Sequence, residues 1–410
     1  MDNKTIWHKK VICQCLSLLP LEGSPLLDYR MKKLSTESLL KIFVAAQLDE
    51  WNSYADMEEK LRAHKKLREF LELSSISGSQ LSRRLNDLPT EWVQEIFSRL
   101  IAKVYTLTND SPGLDGGIGK LRIIDATHIK LPAGLCDWAF VSKEWTVVKM
   151  HTRLIVTSAD TVFPDRILPS TGTIGDSEGS DVLIEESDAT YVMDRGYINF
   201  KRINQWLEMG EKGIEFVIRL RENHNITIIK ENDLPEDPMI LKDAEIQLGQ
   251  STYRVKKPLR LVEYRDEKGR TYRIATTRRD LTAVQIAEIY HHRWAIETFF
   301  KWIKQHLRLI KIHSTKPQGI WNQMFLALMA YGAALLVKLE TKTKKTIFEV
   351  LRLIRTYADK SWNAFLKELN RKPTRTSKGR QKVPKNKEPV YPFVGTVAKV
   401  TWRHKWLKKK

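Results

Sequence analysis

The stretch YHHRWAIETFFKWIKQHL, from Tyr290 to Leu307, reads as one amphipathic helix with an unusual polar stripe. The stripe consists of Tyr290, Arg293, Glu297 and Lys304. At about 100° per residue these positions fall within about 60° of one another, so a phenol, a guanidinium, a carboxylate and an ammonium share one side. The simplest interpretation is an ion pair between Arg293 and Glu297, which stabilises a helix by only about 0.2–0.5 kcal/mol. Taken alone, the stretch would favour that interpretation.

Two aspartates elsewhere in the chain favour a chemical role for this helix. Asp125 in IIDAT and Asp194 in VMDRGY each follow a short apolar run that is typical of a strand. A carboxylate after a buried strand suits a site at the edge of a sheet, although each one alone is more often a turn residue or a helix cap. With Glu297 they make three hard oxygen ligands, the set that two Mg²⁺ ions need for in-line phosphoryl transfer, and Mn²⁺ is expected to substitute.

The cations of the stripe fit the same chemistry. Arg293 and Lys304 would hold phosphates near the metal ions, and Tyr290 would hydrogen-bond a phosphate or stack on a base. The whole chain is basic, with 69 Lys and Arg against 49 Asp and Glu, a net charge of +20. Such an excess predicts a polyanionic partner, either nucleic acid or an anionic membrane surface.

The membrane alternative is the weaker of the two. The N-terminus has no signal-peptide pattern, and the longest apolar run, from Met324 to Val337, is too short to span a bilayer. We therefore expect a buried core helix there. Three cysteines form neither a disulfide framework nor a metal-ligand spacing, which fits a reducing cytoplasm.

The first 110 residues show helical periodicity and contain a segment that reads as a helix-turn-helix. In SISGSQLSRRLNDLP, a glycine turn precedes a short basic helix in which Leu81 and Leu85 pack inward. Three polar side chains would then face DNA: Gln80, Arg83 and Arg84. The alternative is an ordinary solvated surface helix.

The helical residue pattern gives way to strand-like patterns after the glycine-rich linker DSPGLDGGIGK. Strand-like runs, a helix, a β-rich block and long helices follow in that order, which predicts an α/β sheet domain that carries a β insertion. The last forty residues carry fourteen Lys or Arg against one acid. This tail is predicted to be partly disordered and to contact phosphates without specificity, or else to be simply solvated.

Asp125, Asp194 and the stretch from Tyr290 to Lys304 resemble those of a known family, the DDE transposases of bacterial insertion sequences. The closest resemblance is to the group often called the IS-four family, marked by a Tyr-two-Arg-three-Glu-six-Lys signature. Every spacing of that signature is matched from Tyr290 to Lys304. Asp125 and Asp194 stand in the expected order, and the resemblance covers about residues 121–337.

The resemblance implies a ribonuclease-H-like fold, with the first aspartate on the first strand, the second beside a later parallel strand and the glutamate on a helix. Between Asp194 and Glu297 lie 102 residues, more than that fold needs, and the family's β insertion accounts for the excess. Arg219 and Arg221 are expected phosphate contacts there, or else exposed strand cations. The implied organisation comprises a DNA-binding region (1–115), a catalytic core (116–213 and 280–345), the insertion (214–279) and a C-terminal helix with the tail (346–410).

The implied function is cut-and-paste transposition, in which Asp125, Asp194 and Glu297 hold two Mg²⁺ ions. The partners are the element's terminal inverted repeats and target DNA, bound by a homodimer. The resemblance also implies a bacterial protein that associates with the nucleoid. Family members that form a hairpin capture a flipped base with an aromatic, and here Trp206, Tyr253 or Tyr264 would substitute. The alternatives are a nuclease on the same fold, a decayed transposase that acts as a repressor and, last, a membrane-binding protein.

Overall fold

A computed structural model describes residues 10–372, except for 32, 109–110, 159, 186–187, 252 and 308–312. Nearly all of the predicted basic tail lies outside these described residues. The described chain begins with helices, continues with strands that all join one sheet, and returns to helices.

The first part of the described chain contains six helices, and serine side chains cap the starts of three of them. Ser35 and Ser53 accept backbone hydrogen bonds at two of these starts, and Ser77 forms a reciprocal capping box with Gln80. The helices are α1 (Val11–Ser17), α2 (Thr36–Leu48), α3 (Tyr54–Ala63), α4 (Lys65–Phe70), α5 (Gly78–Asp87) and α6 (Thr90–Thr108). Leu81 and Leu85 are fully buried, as the spacing predicted.

The strands form one mixed sheet in the order β2-β3-β1-β5-β6-β11-β10-β8-β7, with β4 paired to β3 and β9 to β8. The pairs β1–β5 and β5–β6 are parallel, and the other pairs are antiparallel. The strands are β1 (Leu121–Lys130), β2 (Phe140–Ser142), β3 (Trp145–Ser158), β4 (Thr161–Thr171), β5 (Thr190–Met193), β6 (Phe216–Arg219), β7 (Ile226–Glu231), β8 (Ile240–Gln250), β9 (Tyr253–Arg254), β10 (Leu259–Arg265) and β11 (Thr271–Thr276). The chain is therefore mixed α/β with a large sheet, as the sequence predicted.

Helices connect and cover this sheet. The two in the parallel crossovers are α7 (Asp176–Leu183) and α8 (Phe200–Glu208). Those that follow the sheet are α9 (Ala283–His291), α10 (Trp294–His306), α11 (Pro317–Thr341), α12 (Ile347–Thr356) and α13 (Trp362–Leu369). One buried cluster joins a sheet face to the N-terminal helices and α9 to α13, and a second joins the other face to α7 and α8.

The predicted insertion, residues 214–279, begins before β6, but β6 does not lie apart from the core sheet. Its residue Val217 pairs in parallel with Val192 of β5, and both are buried. A continuous apolar run such as FVIR is typical of a strand covered on both faces. The later strands, β7 to β11, extend the same sheet beyond β6.

The prediction of one helix from Tyr290 to Leu307 was wrong, because the helix is divided at His292 and Arg293. The amide of Arg293 donates to the Tyr290 carbonyl, and that of Ile296 donates to the Arg293 carbonyl. Each of these bonds joins residues three positions apart, as in a 3₁₀-helix, whereas α-helical bonds join residues four apart. The α-helical hydrogen bonding is thus interrupted at the junction, although both junction residues keep helical φ and ψ. A single helical wheel therefore does not describe the stripe.

The apolar run near residue 330 forms α11, a helix of 25 residues. The helix as a whole, unlike the apolar run from Met324 to Val337 within it, is long and apolar enough to cross a membrane, but 94% of its most apolar window is buried within the protein. It packs against α2, α5 and α6, and Asn322 donates to the carbonyls of Leu85 and Leu88. The prediction of a buried core helix is confirmed.

Candidate active site

Strand register brings Asp125 and Asp194 side by side. Ile124 of β1 pairs in parallel with Met193 of β5, so the next residues along both strands are the two aspartates. Neighbouring strands lie about 4.8 Å apart, and residues at matched positions point to the same face. Asp194 directly follows β5, but β1 continues to Lys130, so the prediction that Asp125 ends its strand was wrong.

Arg219 continues the row on the next strand. Met193 pairs with Ile218 of β6, which aligns Arg219 with Asp194. Its guanidinium lies 4.7 Å from the centre of the Tyr272 ring, a cation–π contact that holds it at this edge. A cation therefore stands beside the two carboxylates, where the sequence predicted a phosphate contact.

The α9–α10 junction places the signature residues against this row. The buried Tyr290 donates a hydrogen bond of 3.3 Å to Asp194 Oδ1. Arg293 Nη2 lies 2.6 Å from Glu297 Oε1, and Arg293 Nη1 lies 3.8 Å from Asp125 Oδ2. Arg293 and Tyr290 thus connect all three predicted carboxylates into one polar cluster.

Burial and the neighbouring acids make ionisation of Asp125 in this cluster unfavourable. Burial, together with the carboxylates of Asp194 and Asp176, raises the pKa of Asp125 to about 6, against the opposing effects of the Ala126 amide and Arg293. Burial and the same three acids also raise the pKa of Tyr197, whose hydroxyl has no hydrogen-bond partner among the described residues. An accumulation of carboxylates at a sheet edge is the chemistry of a cation site.

The raised pKa of Asp125 predicts that Asp125→Asn stabilises the metal-free protein at high pH. Because the folded-state pKa is raised from its ordinary 3.8 to about 6, the unfolded chain ionises first as the pH rises. Above about pH 6 the free energy of unfolding of the wild type is therefore lower by up to about 3 kcal/mol, since each pKa unit corresponds to about 1.36 kcal/mol. Below about pH 4 the loss is small. Urea unfolding of both proteins in EDTA, at about pH 4 and about pH 8, measures the difference in their free energies of unfolding. If Asp125→Asn were more stable than the wild type by the same amount at both pH values, the prediction would be contradicted.

The ligand chemistry of the cluster fits divalent ions. Asp125, Asp194 and Glu297 offer only carboxylate oxygens, the donors that Mg²⁺ and Mn²⁺ prefer. Among the described residues, however, no three acidic, histidine or cysteine side chains are already arranged around one point. The arrangement in place is an ion-pair network centred on Arg293.

The remaining predicted cations flank the cluster. Lys304 is half-buried on α10, where burial lowers its pKa. Arg221 follows β6 and lines an open cavity together with Arg195, which directly follows Asp194. Sequence reasoning did not single out Arg195, although its position in DRGY offered the signal, nor did it find Asp176 and Tyr197.

The three residues predicted to face DNA from α5 have different surroundings. The Gln80 side chain closes the capping box with Ser77. Arg84 Nη2 lies 3.1 Å from Asp28 Oδ1, which commits its guanidinium to the protein. Arg83 is exposed. The helix therefore presents less free polar surface than the sequence predicted.

The candidate aromatics for base capture also differ in their exposure. Trp206 is buried in the sheet core, and Tyr264 is buried and stacks on Tyr272 at 5.1 Å between ring centres. Tyr253 is exposed and lies 4.8 Å from Phe200. Of the three, Tyr253 alone presents its ring to solvent.

The chain is similar to known proteins over most of its length. A family model described as the transposase DDE domain matches residues 117–332, a range that includes all three carboxylates. The "probable transposase for insertion sequence element IS5377" of Geobacillus stearothermophilus is 27% identical over 316 residues, 77% of this chain and 79% of its own length. The "putative transposase y4zB" of Sinorhizobium fredii is 28% identical over 241 residues, 58% of this chain and 65% of its own.

Proposed function

Because the chain belongs to the DDE transposases of insertion sequences, of the IS-four type, we propose that it performs cut-and-paste transposition. In this proposal it cleaves DNA at the ends of its element and joins the freed 3′-hydroxyls to target DNA. Both reactions are in-line displacements at phosphorus, so one set of carboxylates serves both. The observation that carries the proposal is the matched register of Asp125 and Asp194, with Glu297 linked to Asp125 through Arg293.

The sheet topology supports a ribonuclease-H-like core. The strands β4, β3 and β1 run antiparallel, and β5 and β6 follow on the far side of β1 and parallel to it. The helix α10, with Glu297, comes after the sheet. We place the start of the insertion after β6, so that it comprises β7 to β11, and we retain residues 1–115 as the region that binds the element's ends.

DDE transposase domains generally use divalent metal ions. When bound by Asp125, Asp194 and Glu297, two such ions would activate the attacking oxygen and stabilise the leaving one. The Tyr290 hydroxyl fixes the orientation of the Asp194 carboxylate. Arg293 and Arg219 present guanidinium groups beside the carboxylates, where a phosphodiester would need positive charge. Lys304, Arg221 and Arg83 would hold DNA on either side.

Transposases act on DNA, and the basic chain suits that partner. We propose that two protomers each hold one end of the element, so that both ends reach the target together. A nuclease on the same fold would cut without joining, and a decayed transposase would bind without cutting. The complete set of carboxylates and signature residues argues against the decayed form, and a strand-transfer assay separates the transposase from the nuclease.

Analysis of reaction products tests this function. Purified protein, Mg²⁺, a linear DNA with the element's own ends and a supercoiled target plasmid are incubated together. We expect cleavage at the ends followed by end-to-plasmid joining, read on gels and by sequencing the junctions. Cleavage without joining under every condition would indicate the nuclease, and gel-shift binding without cleavage would indicate the repressor; either result contradicts the proposal.

A further inference from the structure

A fourth acidic side chain lies near the three predicted carboxylates. Asp176 is the first residue of α7, and α7 packs against β1 and against the short 3₁₀ turn Arg195–Tyr197, which follows Asp194 directly. The charge of Asp176 is near enough to contribute to the raised pKa of Asp125. Asp176 comes from a crossover helix and not from the row of strand ends, so neither strand register nor residue spacing in the sequence points to it.

The sheet has an open edge at the place where these groups meet. The last residue of β1 that pairs with β5 is Ile124, opposite Met193, but β1 continues to Lys130. Within the described chain, the part of β1 that begins at Asp125 therefore has no strand on its β5 side. Asp125 pairs with Arg293 on the face that α10 covers, and α7 packs on the other face. At an open edge, groups from both faces can approach one bound ion.

A buried lysine holds Asp176. Lys149 Nζ lies 3.0 Å from Asp176 Oδ1 and also donates to the Ile174 carbonyl at 2.8 Å. The Lys149 side chain is 9% exposed, whereas that of Asp176 is 40% exposed. The carboxylate is thus paired with a cation on its protein side and open on its other side, where it can accept a second cation.

A buried hydroxyl gives independent evidence for a ligand at this place. Tyr197 is 2% exposed, and its hydroxyl has no hydrogen-bond partner among the described residues. The charges of Asp125, Asp176 and Asp194 all act on this hydroxyl. Buried polar groups are generally hydrogen-bonded. A hydrated divalent ion among these acids would bring a water molecule that accepts the Tyr197 hydrogen.

The alternative role of Asp176 is to stabilise α7, because an acid in the first turn of a helix interacts favourably with the helix dipole. That role explains neither the buried Lys149 nor the hydroxyl of Tyr197. Lys149 also resembles Arg293, since each cation pairs with one acid at this edge, Asp176 or Glu297. Two cations therefore hold these acids in the metal-free protein, which is consistent with the lack of a preformed set of three ligands among the described residues.

We propose that Asp176 is a fourth carboxylate of the cation site and that Lys149 is a positioning residue, which holds this carboxylate until a divalent ion binds. With an ion beside Asp125, the Asp176 carboxylate exchanges the Lys149 ammonium for the ion, and the Tyr197 hydroxyl donates to an oxygen around it. This inference rests on the proposed use of divalent ions by the three predicted carboxylates.

Binding of Mn²⁺ in the absence of DNA tests the proposal, with free Mn²⁺ measured by electron paramagnetic resonance. Asp176→Asn should weaken Mn²⁺ binding at least about tenfold, the low end for groups that support a metal site. Lys149→Met should have the opposite effect and strengthen binding at least about threefold, because a competing positive charge is removed. An acid that only stabilised α7 would leave the affinity unchanged.

The matched control is Asp181→Asn, because Asp181 is another acid of α7 and pairs with Arg202 at 2.6 Å. Its Mn²⁺ affinity should equal that of the wild type. The double change Lys149→Met and Asp176→Asn should bind Mn²⁺ as weakly as Asp176→Asn alone, since the gain depends on the freed carboxylate. Urea unfolding midpoints verify that each variant is folded.

A second measurement needs no variant. Fe²⁺ replaces Mn²⁺ in the wild type, and ascorbate with hydrogen peroxide then produces hydroxyl radicals that cut the backbone beside the bound ion. Mass spectrometry of the fragments locates the cuts. We expect cuts near Asp176 as well as near Asp125 and Asp194, and an excess of Mg²⁺ should suppress all of them.

Unchanged Mn²⁺ binding by Asp176→Asn, a gain from Lys149→Met that persists in the double variant, Fe²⁺ cuts that avoid α7, or a wild type that binds no Mn²⁺ would each overturn the proposal. The same preparations are assayed for cutting of the element's ends with Mg²⁺. Wild-type cutting together with an unaffected Mn²⁺ affinity of Asp176→Asn would refute the fourth carboxylate alone. Weakened Mn²⁺ binding by Asp176→Asn without any wild-type cutting would refute the cleavage function while the fourth carboxylate stands.

Discussion

Asp125→Asn, Asp194→Asn and Glu297→Gln are each expected to lower DNA strand cleavage at least about 10³-fold, because each removes a carboxylate that serves every displacement. Each 1.36 kcal/mol of lost transition-state stabilisation is tenfold in rate, and an ion that stabilises charge on the reacting oxygens supplies several kcal/mol. The changes keep side-chain size, so gel-shift affinity for the element's ends should persist. Initial cleavage rates at saturating protein measure the effect.

The control for these variants is Asp181→Asn. Asp181 is also a helix-borne acid in an ion pair, with Arg202 at 2.6 Å, but it belongs to α7 and its neighbour α8. Its cleavage rate should stay within about twofold of the wild type, as for a surface pair. Cleavage by any of the three carboxylate variants at the control's rate would remove that residue from the proposed site.

Asp165→Ala is expected to cost about 3–5 kcal/mol of unfolding free energy, the largest single effect on stability that we predict. The Asp165 side chain is 1% exposed and receives two hydrogen bonds of 2.9 Å from Arg153, whose side chain is 4% exposed. Tyr105 also donates to it at 2.7 Å. Removal of the carboxylate would leave a buried guanidinium without its main partner. Urea unfolding monitored by tryptophan fluorescence measures the loss.

The matched control is Glu22→Ala, which removes the carboxylate partner of Arg99 at 2.7 Å on an exposed surface. Its unfolding midpoint should not change measurably, because exposed pairs contribute little. The double change Arg153→Met and Asp165→Leu should recover much of the stability lost in Asp165→Ala. Equal midpoints for Asp165→Ala and the control would show that the buried network is not structural.

These two predictions concern two different charge clusters, around Asp125 and around Asp165, and strand β1 contributes a residue to each. Arg122 near the start of β1 belongs to the Asp165 network, where every buried charge has an opposite partner nearby. Asp125, three residues on, lies among other carboxylates and has a raised pKa. Sequence alone does not distinguish them, since both are single charges within an apolar run. The distinction depends on which strands lie beside β1.

Local patterns predicted much of the fold. Apolar alternation predicted the mixed α/β class and burial of the run near residue 330, because periodicity and composition are local properties. The capping box of α5 was also readable, since Ser77 and Gln80 stand three residues apart, and it would have shown that Gln80 has a structural partner. The division at His292 had no such signal, because it changes hydrogen bonding without a glycine or proline.

The site was predictable only as a set of residue types in order. The spacing from Tyr290 to Lys304 pointed to Glu297, and the ion pair expected as its alternative is also present, at 2.6 Å. Nothing local could give the register that sets Asp125 beside Asp194, because 68 residues separate them. The contributions of Asp176 and Tyr197 depend on the same long-range packing. The catalytic roles themselves remain predictions.

The most direct test of the central claim is anomalous diffraction from crystals of the protein with DNA and Mn²⁺. If the three carboxylates form one metal-binding catalytic site, anomalous peaks will lie between Asp125 and Asp194 and beside Glu297, with Arg293 turned toward a phosphate. Well-ordered DNA with no peak at these carboxylates, and Arg293 still paired with Glu297, would contradict the account and leave the pair as part of a packed helix.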